Sequence, residues 1–177
     1  GLNGGWGTFV AGRINSPGYS FAEAYNPMSG SVWSPQGNIA GNAGVGMTIV
    51  PGGPGRLSNA IAYVSPNFSG FSGKNGYAFG EQTTGSNVSG QFDSAQGILG
   101  LGLDYANGPL AVGLAYHNIS NFGGQINNTA PVGATSNTRG LDQWELAIGG
   151  SYDFKFVKLF ASWQNINQDN VLASVNT

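Results

Sequence analysis

Along most of this chain apolar and polar residues alternate with a period of two. The alternation runs through residues 5–14, 55–65, 69–80, 96–106, 109–118, 142–153 and 156–165, and it predicts seven β-strands there. In 109–118, Leu110, Val112, Leu114 and Tyr116 share one face, while Ala111, Gly113, Ala115 and His117 share the other. In 142–153, Trp144, Leu146, Ile148 and Tyr152 oppose Gln143, Glu145, Ala147, Ser151 and Asp153. Leu57, Ile61 and Tyr63 oppose Arg56, Ser58, Ala60 and Ala62, and Phe71, Tyr77 and Phe79 oppose Ser72, Lys74 and Ala78. One face is large and apolar, the other small or polar. No long segment spaces its apolar residues for one helical face, so no helix is predicted.

The connections separate a membrane barrel from a soluble sandwich, which would alternate in the same way. Residues 15–54 form a long link, Pro66-Asn67-Phe68 a tight turn, and 81–95 a long link again. Asn107-Gly108 reads as a two-residue hairpin, 119–141 is long, Phe154-Lys155 is short, and the chain after 165 reads as open loop. Long and short links alternate throughout. Outer-membrane barrels have this arrangement, with tight turns at one rim and long loops at the other. The strands have roughly the 9–11 residues that cross a bilayer when tilted. Trp6, Tyr63, Phe71, Tyr105 and Tyr152 fall at the short-turn end; Tyr77, Phe79, Tyr116, Trp144 and Trp163 fall at the long-loop end. Aliphatic residues lie between these aromatic belts, as bilayer interfaces favour. The expected fold is therefore all-β, a transmembrane antiparallel barrel whose large residues face lipid. On alternation alone, arginine should be tolerated at inward Ala115 and not at outward Leu114.

Composition supports the membrane reading. Only 8% of residues are charged, against about 25% in a soluble domain. Aromatic residues make up 12%, which excludes a disordered chain. There is no cysteine and no cluster with metal-ligand spacing, so neither a metal nor a cofactor is expected. The net charge of −2 gives no footprint for nucleic acid. The opening Gly1-Leu2-Asn3 carries no basic and apolar leader, as expected of a mature or truncated chain.

Trp6-Gly7-Thr8-Phe9-Val10-Ala11-Gly12-Arg13, then a long loop, then Arg56-Leu57-Ser58-Asn59-Ala60-Ile61-Ala62-Tyr63-Val64-Ser65-Pro66-Asn67-Phe68-Ser69-Gly70-Phe71, resembles the Gram-negative porins of the β-proteobacterial type. Tyr77-Ala78-Phe79-Gly80-Glu81 follows where such porins carry a similar segment. The resemblance implies a sixteen-stranded barrel of the Gram-negative outer membrane, a homotrimer in contact with membrane lipids and lipopolysaccharide. It also implies a passive channel for small hydrophilic solutes and ions, with the third outer loop folded into the pore. Residues 15–54 correspond to that loop. Residues 1–177 would then be one segment of the channel domain, an interior piece such as strands five to eleven, because seven strands cannot close a barrel. An alternative makes the long loops the working surface of an adhesin or surface receptor.

Among candidate site residues, Arg13 and Arg56 bracket the 15–54 loop and sit on the inward face by strand parity. They read as a basic ladder facing Glu23 across the pore, since charged rings are a recurring selectivity device. Their blander reading is a salt bridge that anchors the loop. Lys74, Lys158 and Glu145 also point inward and read as lumen charges. His117 is the sole histidine; with no activated Ser or Asp marked beside it, it reads as a solvated lumen residue, and no enzyme is expected.

Overall fold

A computed structural model describes residues 1–29, 31–42, 48–51, 55–79, 97–122 and 141–168. Eight strands form one antiparallel sheet in chain order: β1 (Leu2–Gly4), β2 (Gly7–Asn15), β3 (Arg56–Val64), β4 (Phe71–Phe79), β5 (Gly97–Asn107), β6 (Leu110–Phe122), β7 (Leu141–Asp153) and β8 (Lys158–Gln168). The seven long strands match the alternating segments to within a few residues. The short β1 is additional, folded back on β2 through Gly5 and Trp6. The links at 80–96 and 123–140 and the chain beyond 168 lie outside the described residues.

Cross-strand pairing assigns the faces. Ile61, Tyr77 and Leu99 stand in one row, and Leu103, Leu114, Ile148 and Trp163 in another. These side chains, with Phe9, Phe71, Phe79, Leu101, Val112, Tyr152 and Leu159, are exposed on a face that no other element covers. A contiguous apolar surface of this extent would drive association in water and is at rest only against lipid or protein. The opposite, inner face holds Ala60, Ala78, Ala115, His117, Gln143, Glu145 and Ala147, all buried; Ala115 and Ala147 pack under the segment between β2 and β3, to which His117 and Glu145 bond, while Ala60 and Ala78 pack among wall residues.

The register shifts at two places among the described strands, between β6 and β7 after Ile119 and between β2 and β3, and at the second it overturns parity. Gly12 pairs with Ala60 but Ile14 pairs with Leu57, so β3 carries one residue more than β2 across this stretch. Asn59 takes it up at φ 50°, a left-handed conformation that asparagine tolerates better than most residues. The bulge turns Leu57 inward, into a cluster with Ala60, Ala78, Ile98 and Ile119, against the expectation that it faces lipid. Alternation counted straight through a bulge assigns every later residue to the wrong face.

The tight turns obey local chemistry. Asn107 pairs with Leu110, so the β5–β6 turn is Gly108-Pro109 rather than Asn107-Gly108. Gly108, at φ 56°, takes the first turn position, where a two-residue hairpin calls for a positive φ. Beyond β3, the Asn67 side chain accepts the Gly70 N–H at 2.8 Å, and Phe68 bridges to Phe71.

Among the described residues, two short helices interrupt the all-β pattern, both between β2 and β3: α1 (Pro17–Ala24) and α2 (Pro35–Asn42). Ser16 caps α1 by accepting the Tyr19 N–H at 2.9 Å, and Pro17 opens it. A serine followed by proline is a recognised helix start: the hydroxyl satisfies an orphan donor, and proline presets φ where its missing N–H costs nothing.

Candidate functional site: a segment clamped to the inner wall

The inner wall is cut low where α1 lies on it. A Cβ at Gly100 would sit 2.8 Å from Pro17 Cδ, one at Gly113 2.5 Å from Tyr25 Cε2, and one at Gly149 2.8 Å from Phe21 Cζ. Only glycine allows this approach, and Ala115 and Ala147 continue the shallow seat. Phe21, Tyr25, Ile49, Ala115 and Ala147 form one buried cluster there. Burying a side chain of this size contributes about 1.5–3 kcal/mol. The seat buries Ala115 completely, so an arginine there would collide with the segment above it, contrary to the tolerance expected from alternation.

Polar clamps fix both arms of the segment. His117 on β6 is fully buried, and its Nε2 accepts the Gly18 N–H of α1 at 2.9 Å. With Nε2 accepting, the ring is neutral and its proton lies on Nδ1, which donates to Thr48 Oγ1 at 2.7 Å. The Thr48 hydroxyl donates in turn to Glu145 Oε1 at 3.0 Å. Glu145, paired with His117 across β6 and β7, is equally buried. Its carboxylate accepts the Thr48 N–H at 2.8 Å, the Ile49 N–H at 2.9 Å, Gln143 Nε2 at 2.7 Å and Gln164 Nε2 at 3.4 Å. A buried carboxylate is tolerated only when its lone pairs are filled in this way. At the neck, the Ser16 N–H donates to the Gly55 carbonyl at 2.9 Å.

A third clamp joins α1 to β4 and β5. Lys74 Nζ lies 2.9 Å from Asp104 Oδ2, and the Tyr25 hydroxyl donates to Asp104 Oδ1 at 3.2 Å. Burial, and then the Asp104 charge, push the Tyr25 phenol well above its ordinary pKa.

The candidate residues fall into different places. Glu145 holds the segment's return arm and is sealed from solvent. Lys74 faces inward, tied to Asp104. Lys158 pairs with Asp153 at the inner start of β8, its Nζ 5.1 Å from the Phe160 ring centroid. Arg56 is exposed, with its guanidinium 5.7 Å from the centroid of Tyr19 on α1. Tyr19 and Glu23 stand one turn apart on that helix, so Arg56 and Glu23 flank the same helix face instead of confronting each other. Glu23 accepts a hydrogen bond from the Ser29 hydroxyl rather than from an arginine. Ile14, not Arg13, takes the inward place beside Leu57, and Arg13 is exposed. His117 is a buried clamp, not a solvated residue. Asp104, Tyr25, Thr48 and Gln164 were invisible to sequence reasoning as partners. The inward glycines on neighbouring strands were the available sign that something packs on the wall.

An antiparallel wall, apolar outside and carrying a clamped segment inside, defines an outer-membrane barrel. The chain belongs to the Gram-negative porin family, whose model matches residues 1–177, and this places it in the outer membrane. An outer-membrane porin protein of Bordetella pertussis is 34% identical over 158 residues, covering 87% of this chain and 37% of that one. Outer membrane porin protein 32 of Delftia acidovorans is 35% identical over 104 residues, 59% of this chain and 25% of that one. The solved anion-selective porin from Comamonas acidovorans superposes with a TM-score of 0.70 at 26% identity, over 97% of this chain and 46% of that chain. The chain thus spans less than half the length of these relatives.

Proposed function

We propose that the full-length protein is a passive outer-membrane channel for small hydrophilic solutes and ions, narrowed by the 15–54 segment. The observation that carries this reading is the clamping of that segment to the inner wall by His117, Glu145 and Asp104. A link that merely joined two strands at a rim would not be sealed against β5–β8 by buried polar groups. No reaction is involved; the family is one of channels. Filtering rests on the width left beside α1 and on charges at the passage. Arg56 and Lys158 act there as cations, Lys74 as a cation held in a pair with Asp104, Glu23 as an anion, Arg13 at the rim, and Glu145 indirectly by fixing the segment. An anion preference is the favoured form of that filter: the solved relative is an anion-selective porin, and Arg56 and Lys158 carry no ion pair among the described residues.

The same reading makes the assembly a homotrimer, with lipids and lipopolysaccharide against the bare apolar face wherever subunits do not meet. The adhesin alternative rests on the links at 81–95 and 119–141, of which 81–95 and 123–140 lie outside the described residues; the comparisons give it no support. Planar-bilayer recording from the full-length protein tests the proposal. Stepwise ohmic conductance that rises when residues 31–47 are deleted is the expected result, and a bilayer left silent by folded, trimeric protein overturns it.

A further inference from the structure

We propose that Asp104 is a specificity-determining residue of the channel, setting its ion preference by neutralising Lys74. The inference rests on the channel reading above and adds a residue and a mechanism to it. Lys74 and Asp104 occupy adjacent strands of the inner wall, with Nζ and Oδ2 2.9 Å apart. Their side chains keep 27% and 21% of their exposure, so the pair is wetted and its field reaches the water beside it. The other carboxylate oxygen accepts the Tyr25 hydroxyl at 3.2 Å, which places the pair where α1 meets the wall. The passage therefore carries a full lysine charge that contributes little to its field, because an opposite charge stands in contact with it.

Asp104 is the one member that can be changed without reshaping the site. Asparagine has the same outline, and its carbonyl oxygen still accepts the Tyr25 hydroxyl. What the change removes is a charge, which leaves Lys74 uncompensated where α1 meets the wall. Lys74→Gln does the converse and uncovers the carboxylate. If the pair were only a structural tie, both variants would loosen the segment in the same direction. If it governs the field, they move selectivity in opposite directions.

The test is the zero-current potential of the full-length protein across a salt gradient in planar bilayers. Asp104→Asn should raise the anion-over-cation permeability ratio roughly two- to fourfold at low salt, the size expected of one unit charge about 10 Å from a permeating ion in water. Lys74→Gln should lower the ratio by a similar factor, and the double variant should return towards the parental value. Both shifts should fade near 1 M salt, where the screening length is about 3 Å. A parental protein that forms no channel fails the broader reading instead. Channels whose ratio is unmoved by Asp104→Asn, or moved the same way by both single variants, overturn the proposal.

Discussion

Replacing Glu145 with alanine removes the acceptor that holds the return arm of the segment. Among the described residues, the Thr48 and Ile49 N–H groups bond to this carboxylate and nothing else. Each buried donor left without a partner costs about 1–3 kcal/mol, so these two alone account for roughly 2–6 kcal/mol. The Thr48 hydroxyl and the Gln143 and Gln164 amides also lose an acceptor, but side chains can turn to water or to each other. The loss does not fall on the barrel, because β7 keeps its backbone pairing to β6 and β8. Nor does it fall first on α1, which Phe21, Tyr25 and the Gly18–His117 bond hold separately. It is spent where it arises, in local undocking of residues 48–51, an opening that amide exchange detects without global unfolding. Even the lower figure implies amide exchange roughly 30-fold faster at Thr48 and Ile49, at tenfold per 1.4 kcal/mol. Single-channel conductance of the full-length protein should rise and become noisier. Glu145→Gln should fall between, since its amide keeps one acceptor but presents hydrogens to donors. Exchange at the parental rate, together with unchanged conductance in Glu145→Ala, would refute the clamp.

Leu114→Arg should destabilise the folded barrel by about 2–4 kcal/mol, whereas Ser162→Arg on the inner face should be nearly neutral; urea titrations in lipid compare them, and equal losses would mean the faces are misassigned. Gly113→Val should lift Tyr25 from the wall and raise conductance while heat-modifiable migration on gels stays that of a folded barrel; parental conductance would show that the seat tolerates a side chain. The Tyr25 phenol, its pKa raised by burial and then by Asp104, favours the docked state below its ordinary value of 10.0 and loses that contribution as pH climbs through the raised one. Absorbance titration at 295 nm should therefore show one tyrosine still protonated at pH 11 that Tyr25→Phe removes.

Strands were legible because one face meets lipid and the other does not, which imprints period two on β4 to β8. The same rule misplaced Leu57. A single left-handed residue, Asn59, shifts the count, and no composition signal separates it from the asparagines in turns. Ser16-Pro17 could have been read as a helix start, but an eight-residue helix leaves little periodicity to find. The clamps were hidden for a different reason. His117 meets Gly18 across 99 residues and Glu145 meets Thr48 across 97, so each polar side chain looked solvated until the fold brought its partner to it. Ala115 misled in the same way, since alternation tells inside from outside but not covered from open.

Those long separations also fix an order of events. The described residues of 16–51 precede the strands they rest on, and their acceptors on β6 and β7 do not exist as a surface until those strands have paired. Closing a loop of about a hundred residues costs only a little more entropy than closing a shorter one, but the rest site must be built before any contact repays it. The segment therefore seats last, onto a finished wall. Until then its apolar residues, Phe21 and Tyr25 foremost, have no wall to pack on, and this is the stage at which exposed apolar surface invites association with other chains.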